Sequence, residues 1–108
     1  MKAMVVVMER LIQKVKPDKW AALDEIDAKF NAIESKMGFP PKKRYRSMIG
    51  PLDNDVIVIE REWKSMAVME QTVLGSMGNA DLVKLGVQLA DIIEKSWHEV
   101  YAIWPYKV

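Results

Sequence analysis

His98 is the only histidine in a chain of 108 residues, and its imidazole is the side chain best suited to move a proton near neutral pH. Arg44, Arg46, Glu60, Arg61 and Glu62 fall on two segments that read as hairpin partners. An arginine and a glutamate turned into one cavity would orient a phenolate or carboxylate. Glu60 is thus the second candidate for proton transfer, and Arg44 and Arg46 are candidates for holding an anion. Trp63, Tyr45, Tyr101 and Trp104 would wall a planar ligand. Each group also has a plain structural reading. His98 at a helix end would complement the dipole, the strand charges would pair across a solvated edge, and the aromatics would pack a core or an interface. Glu9 has the same two readings as the other strand charges.

Other chemistries find no support. The chain has no cysteine, which excludes disulfides and thiolate metal sites, and a lone histidine makes a poor zinc site. No Ser-His-Asp set is present at a convincing spacing. Gly75-Ser76-Met77-Gly78-Asn79 matches neither a P-loop nor a dinucleotide fingerprint and reads as an interhelix loop. Lys42-Lys43-Arg44-Tyr45-Arg46 interleaves base and aromatic as a nucleic-acid strip would. Yet lysine plus arginine (16) nearly balances aspartate plus glutamate (15), so no global field draws in nucleic acid or anionic lipid. The segment reads instead as an edge strand guarded by charge. No stretch approaches the roughly 20 apolar residues of a membrane span, and the N-terminal apolar run lacks a small-residue cleavage site. A single cytoplasmic domain over residues 1–108 is expected, with no cofactor.

The elements that would position these residues follow from periodicity. Residues 3–8 and 56–59 are continuous apolar runs, the mark of strands covered on both faces. The first strand is expected from Lys2 to about Lys14. Pro17 and Asp18 suit the first turn of a helix in which Trp20, Leu23, Ile26, Phe30, Ile33 and Met37 form one buried stripe. Gly38 suits a left-handed cap, and Pro40-Pro41 forbid continuation. Alternation over 42–50, a turn at Pro51 to Asp55 and the run from Val56 to about Trp63 give a hairpin. Ser65 caps a short helix through Gln71 or beyond. Asn79 caps another, in which Leu82, Leu85, Leu89, Ile92, Ile93 and Trp97 share a side. A last strand is expected from about Val100, leaving His98 just before it.

The order strand, helix, strand, strand, helix, strand is the split βαβ, ferredoxin-like arrangement of an α+β protein: βαββαβ with a four-stranded antiparallel sheet. The apolar runs put strands 1 and 3 at its centre. Right-handed crossovers place both helical connections on one face and leave the other bare. Strands about 4.8 Å apart and about five residues long expose several hundred Å² there. That is worth on the order of 10 kcal/mol per subunit before association costs. Monomers rarely show such a patch, so a homodimer closed sheet against sheet is expected.

This order, with the Val15-Lys16-Pro17-Asp18-Lys19-Trp20 junction, the stretch from Glu60 to Glu70 and the ending from Trp97 to Trp104, resembles the dimeric α/β-barrel superfamily. It is most similar to the NIPSNAP-like and antibiotic-biosynthesis-monooxygenase-like groups. Those families typically place glycine after the junction proline, where this chain has Asp18. The resemblance implies a homodimer with a cavity for a small, partly apolar or aromatic molecule, contacted by Arg44, Arg46, Trp63, Tyr101 and Trp104. Among such families some members oxidise polycyclic phenols without a cofactor, some isomerise lactones and some degrade haem. Haem degradation employs an Asn, Trp and His constellation, and here the helix following strand 3 holds no histidine, the one histidine being His98 just before the last strand. The alternatives are a cofactor-independent monooxygenase or isomerase using His98 or Glu60 as base on a phenolic substrate, and a non-catalytic interaction module whose bare face meets another protein.

Overall fold

The structure, a computed structural model, describes residues 4–108. Four strands and three helices follow in the order β1 (Val7–Val15), α1 (Trp20–Lys36), β2 (Lys42–Arg46), β3 (Val56–Trp63), α2 (Met66–Ser76), α3 (Ala80–Ala90) and β4 (Ile93–Ala102). The sheet is antiparallel in the order β2-β3-β1-β4. The two strands with apolar runs lie at its centre, as expected of segments covered on both sides.

The helices pack on one face. From α1, Leu23 and Ile26 join Val15, Ile57, Leu85 and Ile92 in the larger core cluster. From α2, Met69 packs on Val7 and Trp63 in a second cluster. Side chains alternate along a strand, so Val7, Glu9, Leu11, Gln13 and Val15 all face the helices. Their register partners Trp63, Arg61, Ile59 and Ile57 on β3 do the same, as do Val100, His98 and Ser96 on β4.

The other face is less greasy than its runs suggest. Tyr45, Val58, Ile12 and Trp97 align in one apolar row across all four strands, and Lys43, Glu60, Arg10 and Glu99 align in the next. The charges alternate in sign along that second row. The apolar run of β3 stops at Ile59, so outward positions beyond it fall to Glu60 and Glu62.

Several boundaries differ from the sequence expectation. Lys2 and Ala3 lie outside the described residues, and β1 begins at Val7 and runs to Val15. Pro17 and Asp18 form a turn rather than helix: α1 starts at Trp20, and Asp18 has φ 63°. A left-handed backbone at this point explains why glycine suits the junction. Asp18→Val is expected to lower stability by about 1–2 kcal/mol, because a β-branched side chain clashes there, whereas Asp18→Gly should not lower it. Equal urea midpoints for the two variants would contradict this. Gly38 takes φ 88° beyond α1, as a cap should. The edge strand β2 is shorter than expected, ending at Arg46, whose guanidinium turns to the Asn54 carbonyl. Ser65 and Asn79 cap α2 and α3 by accepting from Val68 and Leu82 N–H groups. The break between those helices falls at Met77 and Gly78, since α2 continues through Gly75 to Ser76.

The largest correction concerns the last element. Helix α3 ends at Ala90, and β4 starts at Ile93. Ile92, Ile93 and Trp97 imitate helical spacing, but nine register pairs with β1 hold the segment extended. His98 therefore sits within a strand opposite Leu11. No helix dipole acts on it from its own element.

Candidate functional site

A cavity of about 100 Å³ opens between α1 and the helix-facing side of the sheet. Leu11 and Ile59 form its floor, and Leu23, Ile26, Phe30 and Leu89 come from the helices. Its polar lining is Gln13, Asp27, Glu34, Lys42 and Arg61. The charges are engaged with one another. Lys42 Nζ lies 2.5 Å from Asp27 and 3.5 Å from Glu34. Arg61 donates to Glu34 at 2.6 Å through Nη2 and to the Pro40 carbonyl through Nε at 3.2 Å. Arg44 Nη2 holds Asp24 at 2.9 Å. Its Nε is 3.4 Å from Asp27 but too poorly aligned to donate, and has no other partner. Gln13 is different: it is 5% exposed, and its amide has no side-chain hydrogen bond among the described residues.

One step along the same face is a second polar group. Glu9 Oε1 accepts from the indole N–H of Trp63 at 3.0 Å, and Glu9 Oε2 lies 2.7 Å from His98 Nε2. Trp63 is 2% exposed and packs edge-on against Phe39 at 5.6 Å, which in turn lies under the Arg61 guanidinium. Trp63 thereby fixes one carboxylate oxygen and leaves the other for the imidazole. A carboxylate only accepts, so the neutral ring must carry its hydrogen on Nε2, leaving the Nδ1 lone pair free. The His98 side chain is 52% exposed, open to a reactant. Leu11, in the cavity floor, is its register partner.

No family model and no curated protein matches the chain in sequence. Solved structures do match in shape. A NIPSNAP family protein from Agrobacterium tumefaciens superposes with TM-score 0.78 at 14% identity, covering 95% of this chain and 90% of that one. An uncharacterised NIPSNAP domain protein from Burkholderia xenovorans gives 0.78 at 7% identity, covering 90% and 93%. SnoaB, a cofactor-independent oxygenase from Streptomyces nogalater, gives 0.69 at 13% identity, covering 92% and 93%. The chain has the NIPSNAP fold. The expected likeness to both the NIPSNAP-like and the monooxygenase-like groups is borne out at that level.

Within the NIPSNAP fold the residues singled out from sequence do not form one site. His98 and Trp63 are joined, but through Glu9. Glu60 and Tyr101 lie on the opposite face of the sheet. Glu60 accepts from Arg10 at 2.9 Å, and Tyr101 lies under that same guanidinium, 5.5 Å from ring centroid to Cζ. The Glu99 carboxylate beside Tyr101 holds its phenol above the ordinary value. Arg44 turns toward α1, as does Arg46, which stacks on Trp20 at 4.0 Å. Trp104 lies beyond β4, 77% exposed and edge-on to Tyr106. The expected aromatic wall is therefore dispersed, because Tyr45 and Tyr101 share the parity of the open face and Trp63 that of the helix face.

Gln13, Asp27 and Glu34 are not among the candidates the sequence offers, and Lys42 enters there only as part of the charged edge strand. Asp27 and Glu34 sit seven apart on α1, two helical turns on one side, beside the apolar stripe. That spacing was the available signal. Gln13 offered none beyond being a polar residue at an inward strand position.

Proposed function

We propose that the protein is a homodimer that binds a small, partly apolar molecule in the cavity between the sheet and α1. The observation that carries the reading is the cavity's place inside the helix layer, where its apolar lining comes from the larger core cluster and the side chains packed against it. Interiors are close-packed, and a hollow lined by apolar side chains with a few polar groups takes up a small ring compound. The NIPSNAP fold supports this without naming the molecule. Among the described residues no helix is long and apolar enough to cross a membrane.

The test is a substitution that fills the hollow. Leu11→Phe should abolish the chemical-shift changes that benzyl alcohol or indole causes at Leu23, Ile26 and Leu89, while the spectrum stays dispersed. Shifts that persist in the filled variant would place the binding elsewhere.

A second reading rests on the Glu9–His98 pair. His98, oriented by Glu9, would take a proton from a phenolic substrate, the opening step of a cofactor-independent oxygenation or an isomerisation. SnoaB supplies the precedent of a cofactor-independent oxygenase on this fold. A positioned base contributes roughly 10²–10⁴-fold, so His98→Ala should lower oxygen uptake with an accepted phenol by at least about 100-fold. Glu9→Gln should lower it less, since an amide can also orient the ring. Uptake unchanged by His98→Ala would remove the role. Glu60 lies across the sheet from His98, so Glu60→Gln serves as the control for a base acting from the other face.

A further inference from the structure

We infer that the molecule held in the cavity is electrically neutral, of about one ring in size, and carries a single hydroxyl or amide group seated on Gln13. The inference deepens the binding reading and rests on it. The ionic lining is already complete. Lys42 and Arg61 face Asp27 and Glu34, two cations against two anions, each with a partner within 4.0 Å. A charged ligand would lose its water and find no free counter-charge unless one of these pairs broke. The neutral Gln13 is the exception: its side chain pairs with none of these charges, and it lines both the cavity and the open groove beside it. An amide both donates and accepts, so it satisfies a hydroxyl or an amide equally well.

Gln13 also marks the way in. It and Leu89 line a second, open groove between α3 and β4, together with Gly86, Ala90 and Ile93. Space around Gly86 is clear: a Cβ built there meets nothing within 4 Å. The amide thus stands at the boundary between groove and cavity, where an entering molecule meets it first.

The experiment is a titration by calorimetry and amide NMR with benzyl alcohol, benzamide, toluene, benzoate and benzylammonium. The two neutral polar probes are expected to bind at least about tenfold more tightly than toluene, and benzoate and benzylammonium more weakly than either. In Gln13→Leu the preference over toluene should fall to about one. That variant should fold, since it exchanges a neutral amide for an apolar side chain of similar size in a largely apolar layer. Gly86→Phe should slow uptake while leaving the ranking intact. Tighter binding of benzoate or benzylammonium, or a preference that survives Gln13→Leu, overturns the inference while the cavity remains a binding site. If no probe binds, the cavity reading itself falls and takes the inference with it.

Discussion

Lys42→Met is expected to lower folding stability by about 3 kcal/mol, measured as the free energy of urea unfolding. The Lys42 side chain is 7% exposed, and the two carboxylates it faces, Asp27 and Glu34, are at 12% and 14%. Removing one partner of a buried pair leaves charge without water or counter-ion, and that penalty exceeds what the pair contributed. Here Arg61 keeps a good contact with Glu34, whereas Asp27 keeps only the misaligned Arg44 at 3.4 Å. The loss should therefore sit mainly at Asp27, and Lys42→Met combined with Asp27→Leu should recover most of it. The combination restores an apolar packing where the single change leaves an orphan. Such a loss is a large share of the 5–15 kcal/mol that holds most domains together. A loss under about 1 kcal/mol would mean that water reaches Asp27 freely.

The architecture was legible in the sequence because its signals were of the robust kind. Two continuous apolar runs, one long periodic helix and the Gly38 and Pro40-Pro41 stop fix the class and order of elements; β1 and β3 lie at the centre of the sheet as expected, although only Val7 and Met8 of the first run fall within β1. What failed was the edge. β4 is exposed along much of its length, so neither face forces alternation, and Leu89, Ile92, Ile93 and Trp97 carried a helical spacing past the turn at Asp91. Only pairing with β1 settles that segment, and pairing between residues some 85 positions apart is invisible to local pattern. The site suffered accordingly. His98 and Glu9 are 89 residues apart, and their meeting depends on β4 being a strand in that register. Misplacing β4 also put His98 under a helix dipole it does not feel. Arginine and glutamate were expected to share a cavity, and a pair does, but it is Arg61 with Glu34 from α1 rather than Glu60. Residues 60 and 61 point to opposite faces, and a one-residue difference in parity decides which of them meets the helices.

The open face of the sheet carries the second large prediction. Tyr45 and Trp97 are 48% and 39% exposed, at the two ends of the apolar row that Val58 and Ile12 complete. Their exposure means that a polar side chain at either place should cost the folded single chain little. In a dimer closed sheet against sheet they would be buried, and two-fold symmetry would count each substitution twice. Burying such a ring is worth roughly 1.5–3 kcal/mol, and a carboxylate put in its place adds a desolvation cost. Tyr45→Glu with Trp97→Glu should therefore weaken association by more than about 10³-fold, since each 1.4 kcal/mol is a factor of ten. Sedimentation velocity should show a dimer for the natural chain and a monomer of unchanged circular dichroism for the double variant. The neighbouring row refines the expectation. Lys43, Glu60, Arg10 and Glu99 alternate in sign across the four strands, so a copy turned through 180° can set its own alternation against this one. Arg10 already holds Glu60 at 2.9 Å and approaches Glu99 at 4.0 Å. A dimer registered by that row should loosen as salt rises, whereas one held by Tyr45, Val58, Ile12 and Trp97 alone should not. A natural chain that sediments as a monomer at high micromolar concentration would leave the apolar row solvated and remove the dimer altogether.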